Sequence, residues 1–92
     1  MKIGIFAGSF DPFTIGHASI VRRALPLFDK IVIGVGINER KNSMLNTDEK
    51  VKKIALLYAN EPKIEVKAYS DLTVSLAHRE HAQYFIKGVR SI

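Results

Sequence analysis

Ninety-two residues, 47% hydrophobic and 25% charged, have the balance of an ordinary folded domain; this excludes a disordered chain and leads us to expect one domain over residues 1–92. The formal net charge of +5 suits an anionic partner, yet the lysines alternate with acids, as in Asp48-Glu49-Lys50, and no basic stripe with interleaved aromatics marks a nucleic-acid surface. Cysteine is absent, which excludes disulfides, thiolate metal sites and cysteine nucleophiles, and the apolar runs near residues 3–6 and 31–37 are too short for a signal peptide or a membrane span, so a cytoplasmic chain with no membrane or nucleic-acid partner is expected.

Residues 2–6 predict a first strand. Residues 17–28 predict a helix with Ile20, Val21, Ala24, Leu25 and Phe28 on its buried face and Pro26 distorting its last turn. Residues 30–36 are nearly all apolar, the pattern of a strand covered on both sides. A polar loop over 37–45 leads to Asn46-Thr47-Asp48-Glu49, which has the form of a capping box with Asn46 as the cap. The second helix continues through Val51, Ile54, Ala55, Leu57 and Tyr58 and stops at Asn60-Glu61-Pro62. Residues 64–69 alternate in polarity, as a strand near a sheet edge does. A third helix over 73–83 and a short strand over 84–87 complete the order βαβαβαβ.

That alternation predicts an α/β fold: an open parallel sheet with right-handed crossovers and helices on both faces. Ligands of such sheets bind beyond the carboxyl ends of the strands, where the strand order reverses. The loops at those ends span residues 7–16, 37–45, 70–73 and 88–92. The first is the most informative: Gly8-Ser9-Phe10-Asp11-Pro12-Phe13-Thr14-Ile15-Gly16-His17 leaves a strand and enters a helix. Gly8 and Gly16 allow close approach of backbone to a ligand, and the N–H groups of a helix start suit phosphate. Ser9 supplies a hydroxyl, and His17 lies in the first helical turn.

Gly-Ser-Phe-Asp-Pro followed by Thr-Ile-Gly-His is similar to the signature of the nucleotidyltransferase superfamily. With Lys41, Ser70-Asp71-Leu72-Thr73 and Lys87-Gly88-Val89-Arg90 at the other strand ends, the whole chain resembles the N-terminal part of the bacterial phosphopantetheine adenylyltransferases. The resemblance implies a Rossmann-like nucleotidyltransferase fold and reversible transfer of the adenylyl group of ATP to 4'-phosphopantetheine, giving dephospho-coenzyme A and pyrophosphate. It also implies Mg²⁺ carried with ATP, coenzyme A as a feedback ligand, and a homo-oligomer, hexameric in the family.

By resemblance, Ser9 touches both substrates, Phe10 offers backbone to ATP, and His17 contacts the ATP phosphates and stabilises the transition state. Lys41 binds and orients the phosphate of phosphopantetheine, and Thr73 lies at a pantetheine-contacting position. Lys87 stands where the family usually has arginine, which keeps the charge and loses the two-pronged grip. Gly88, Val89 and Arg90 form an ATP-binding segment. Family members continue past the position of Ile92 with a further strand and a Ser-rich ATP-binding motif, so weak or absent turnover is the expectation for these residues alone. Another nucleotidyltransferase, such as a nicotinate-mononucleotide adenylyltransferase or a cytidylyltransferase, and a non-catalytic nucleotide-binding fragment are the alternative readings.

Other candidates carry less. His78 and His81 are spaced i, i+3 on the predicted third helix and could share a metal, yet no third ligand accompanies them and a mixed polar face accounts for them better. Asp11 beside Pro12 fits a loop-fixing residue better than a base. Gly34-Val35-Gly36 lacks the third glycine of a dinucleotide fingerprint.

Overall fold

The computed structural model describes residues 1–8, 10, 13–36, 44–69 and 73–86, with the side chains of 44–46 and 73–74 outside that description. Its elements run β1 (Ile3–Gly8), α1 (Ile15–Ala24), a 3-10 turn (Leu25–Leu27), β2 (Lys30–Gly36), α2 (Met44–Leu57), β3 (Ile64–Tyr69), α3 (Thr73–Arg79) and β4 (Tyr84–Phe85). The four strands form one sheet in the order β3-β2-β1-β4, and every pairing is parallel. This is the predicted open parallel sheet, with β3 at an edge as its alternating polarity implied.

Right-handed crossovers decide where the helices go. The chain steps from β1 to β2 to β3 in one direction, which places α1 and α2 on one face. It then returns past β1 to β4, which places α3 on the other. Each face has its own core. On the first, Phe6, Ile31, Ile33 and Val35 of the sheet meet Val21 and Ala24 of α1 and Ile54 of α2, together with Phe10. On the second, Ile3, Ile5 and Val32 meet Leu76 and Ala77 of α3. β2 lies between both cores, and its residues Ile31, Val32, Ile33 and Val35 have no exposed surface (0%), which explains its unbroken apolar sequence.

Several boundaries differ from the sequence reading. α1 starts at Ile15 rather than residue 17, because Thr14 is extended and caps it. Pro26 does distort the end of that helix, which tightens into the 3-10 turn. α2 is already helical at Met44, so Asn46 stands inside it and is not its cap. Its buried stripe is Thr47, Val51, Ile54 and Tyr58, while Leu56 and Leu57 face solvent.

α3 stops at Arg79, short of the predicted residue 83. His81 takes a left-handed backbone, φ 58°. The His81 N–H donates to the His78 carbonyl at 3.2 Å and the Ala82 N–H to the Ala77 carbonyl at 2.9 Å, the paired bonds of a Schellman motif. His81 therefore stands beyond the helix, and the helical i, i+3 pairing of His78 with His81 does not occur. Gln83 works for the sheet instead: its N–H donates to the Ile3 carbonyl at 3.2 Å, and its Oε1 accepts the Ile3 N–H at 3.2 Å.

Gly34 has a packing role. A Cβ there would lie 2.6 Å from Leu76 Cδ2 and 3.2 Å from the Tyr69 ring, so the missing side chain is what lets α3 approach β2.

Candidate functional site

β1 is the first strand in sequence and an inner strand in space. The chain leaves it toward β2 on one side and comes back to β4 on the other, so the strand order reverses at the β1/β4 seam. The loop after β1 rises from that seam and feeds α1.

Phe10 anchors the loop. Its ring is buried, 5% exposed, and packs on Phe6 at 5.2 Å and Phe13 at 5.3 Å between centroids. It also covers Gly8, where an added Cβ would lie 3.4 Å from the ring. Its backbone is left-handed, φ 49°, which costs a bulky side chain on the order of 1–3 kcal/mol. Burial of the aromatic ring offsets that strain.

His17 is half-buried against the same rings. Phe10 meets it edge-on at 5.1 Å, Phe13 lies at 5.4 Å, and Phe6 at 6.0 Å. Phe13 in turn packs on Tyr58 of α2 at 6.2 Å. Phe6 of β1 and, through Phe13, Tyr58 at the end of the α2 stripe thus hold the imidazole by a chain of aromatic contacts.

Thr14 and His17 form a reciprocal capping box. The His17 N–H donates to Thr14 Oγ1 at 3.4 Å, and the Thr14 N–H donates to His17 Nδ1 at 2.9 Å. Histidine occupies the position where glutamate or glutamine usually closes such a box. With His17 and Ala18 N–H groups bonded to Thr14, the first-turn donors of Ile15 and Gly16 have no partner among the described residues. Both residues are exposed, and no acidic residue occupies the first turn. Free N–H groups at the positive end of a helix suit an anion.

Of the residues singled out from sequence, the structure brings Phe10 and His17 together. Thr73 begins α3. Ser9, Lys41, Lys87, Gly88, Val89 and Arg90 lie outside the described residues. Among the described residues, no group of three or more histidines and acids is gathered as a metal cage, and no helix is long and apolar enough to cross a membrane.

Several lysines that alternate with acids in the sequence have structural partners. Lys30 Nζ lies 2.7 Å from Glu65 Oε1, and Lys67 Nζ lies 2.7 Å from Glu80 Oε2 and 3.7 Å from Glu65. The hydrogen bond from Lys30, reinforced by the charges of Lys30 and Lys67, holds the Glu65 carboxyl below its ordinary value against partial burial. The bond to Glu80 raises Lys67 above its own. Lys63 Nζ donates to the Leu25 carbonyl at 2.6 Å and so ties the first residue of the 3-10 turn to the start of β3. These cations hold the sheet and its turns together.

A parallel sheet reversed at β1/β4, with a strained loop feeding an uncovered helix start and a histidine locked in its first turn, defines a Rossmann-like nucleotidyltransferase fold. The chain belongs to the cytidylyltransferase-like family, whose model matches residues 5–92. It is 46% identical over 92 residues to a protein of Phocaeicola vulgatus named phosphopantetheine adenylyltransferase, covering 100% of this chain and 61% of that relative. A Bacteroides fragilis protein of the same name is 45% identical over the same shares, 100% and 61%. One from Porphyromonas gingivalis is 47% identical over 98% of this chain and 59% of its own length. The chain thus spans about 60% of the length of the curated relatives it matches.

Proposed function

We propose that this chain carries the phosphate-gripping part of a phosphopantetheine adenylyltransferase, which transfers the adenylyl group of ATP to 4'-phosphopantetheine. The observation that carries this reading is 46% identity extending over all 92 residues to relatives of that name, so that it takes in every strand-end loop. The geometry after β1 supports it: two helix-start N–H groups without a partner among the described residues, beside an imidazole held by its capping bond, suit a polyphosphate.

In this reading a phosphate oxygen of 4'-phosphopantetheine attacks the α-phosphorus of ATP in line. The bond from the α-phosphorus to the bridging oxygen breaks, and pyrophosphate leaves. The nucleophile is already ionised, so the catalytic demand is alignment and charge stabilisation. His17 donates a hydrogen bond to a phosphoryl oxygen as charge grows there. Ser9, Lys41 and Lys87 hold the reacting phosphates, Thr73 meets the pantetheine arm, and Phe10, Gly88, Val89 and Arg90 hold ATP. Mg²⁺ enters with ATP as part of the substrate, where it neutralises the pyrophosphate leaving group.

Pyrophosphate release measured with ATP or CTP as donor, and with 4'-phosphopantetheine or nicotinate mononucleotide as acceptor, tests the reading. In a protein of those relatives' full length, release with ATP and 4'-phosphopantetheine and with no other pairing is expected. Preference for CTP or for the mononucleotide would replace this function with another in the family. ATP binding by calorimetry with no release under any pairing would leave a binding module. His17→Ala is expected to lower kcat about 10²–10³-fold with ATP affinity largely kept, the cost of removing one transition-state donor.

A further inference from the structure

We propose that Thr14 is a positioning residue that fixes the tautomer of His17, so that His17 meets its ligand as a neutral Nε2–H donor and not as a base. The inference rests on the site reading above for its ligand, an anionic phosphoryl oxygen, but its central observation concerns the chain alone.

A backbone amide can only donate. The Thr14 N–H points to His17 Nδ1 at 2.9 Å, so that nitrogen presents a lone pair. In a neutral imidazole the proton then belongs to Nε2, because the bond made by one ring nitrogen selects the state of the other. Thr14 Oγ1 lies 3.1 Å from the same Nδ1. This oxygen accepts the His17 N–H through a lone pair, which leaves its own hydrogen free to turn toward Nδ1. Two donors of one residue therefore converge on one nitrogen.

The ring is also restrained against turning over. Phe10 stands perpendicular to it, at 90°, and Phe13 lies at 5.4 Å. A flipped imidazole would give up the capping bond. Nε2 has no hydrogen-bond partner among the described residues, which leaves its N–H available. A group that already carries a proton at Nε2 cannot accept one there, and an ionised phosphate acceptor does not need it to. The fixed donor is ready before substrate arrives, so no reorganisation is required at the moment of transfer.

The test is a long-range proton–nitrogen NMR spectrum of the histidine rings in the full chain, free of ligand and at a pH where His17 is neutral. Nδ1 of His17 should resonate in the unprotonated range and Nε2 in the protonated range. Thr14→Ser should preserve that pattern together with kcat. Thr14→Val keeps the amide donor and loses the hydroxyl, so Nδ1 should stay unprotonated while the looser ring lowers kcat about tenfold to a hundredfold with KM little changed. A His17 protonated at Nδ1 in the unaltered chain overturns the proposal, as does Thr14→Val with full kcat. If Thr14→Val does not fold, the unaltered chain and Thr14→Ser still decide the question. The spectrum needs no substrate, so failure of the acceptor assay and failure of this inference are separate results.

Discussion

The two faces of the sheet are built differently. The face under α1 and α2 is deep and aromatic, and it continues without a break into the loop after β1: Phe6 leads to Phe10, Phe13 and His17, and Phe13 to Tyr58. The face under α3 is served by one seven-residue helix and finishes in ion pairs among Lys30, Glu65, Lys67 and Glu80. One face holds the candidate site as an extension of its core. The other closes the sheet with apolar contacts at its centre and charge at its border. Stability and function should therefore be coupled on the first face and separable on the second.

The largest break should come from Phe10→Ala. It deletes a buried ring that ties the loop to the first face, with an expected loss of about 3–5 kcal/mol in denaturant unfolding. The backbone strain at this position remains for alanine, so no relief offsets the loss. Stability and turnover should fall together. A variant with normal turnover would show that the loop does not depend on that core.

A smaller change should sharpen the contrast in the opposite direction. Thr47 is fully buried on the stripe of α2, and its Oγ1 has no hydrogen-bond partner among the described residues. Thr47→Val keeps the shape and removes the unpaired hydroxyl, so a gain of about 1 kcal/mol is expected in the same assay. A loss would mean that the hydroxyl is satisfied in solution. The Tyr58 hydroxyl on the same stripe is likewise unpaired, and burial pushes its pKa up. The first face thus carries polar cost as well as the site.

The smallest effect belongs to the charged border. The Glu65 pKa is lowered on folding, so its stabilisation is present above its unfolded value and is lost as pH falls through the lower folded value. Lys67 is the opposite case: its contribution is present below its unfolded value and is lost as pH rises through the raised folded one. The two side chains are 41% and 39% exposed, so both effects are small. Glu65→Gln should flatten the acid limb of stability against pH and leave turnover unchanged. A fall in turnover would show that the second face also supports the site.

The architecture could be read from sequence because each strand is a short apolar or alternating run and each helix has an apolar stripe of the right period. Helix ends were harder to read, for specific reasons. α3 is stopped by a left-handed histidine where the usual sign is glycine, so nothing before residue 83 announced its end. At α2 an Asn-x-x-Glu pattern inside the helix imitated a cap. At α1 the true cap, Thr14, was hidden because its partner three residues on is histidine rather than glutamate. The same histidine is the residue that stood out for chemistry. Thr14 was legible as part of a motif, yet its contact with Nδ1 depends on a ring rotamer that only packing sets.

The reversal of strand order has a consequence for how the chain assembles. β1 can pair with β2 after a short crossover, whereas Ile3 and Gln83 meet across 80 residues. Closing the longer loop costs more chain entropy, and among the described residues β4 offers a two-residue strand in return. The crevice between β1 and β4 should thus be the last feature to form and the first to open. In native-state hydrogen exchange, the amides of Gln83 and Ile86, bonded to Ile3 and Ile5, should exchange well before those joining β1 to β2; equal protection would place the seam in the most persistent part of the sheet.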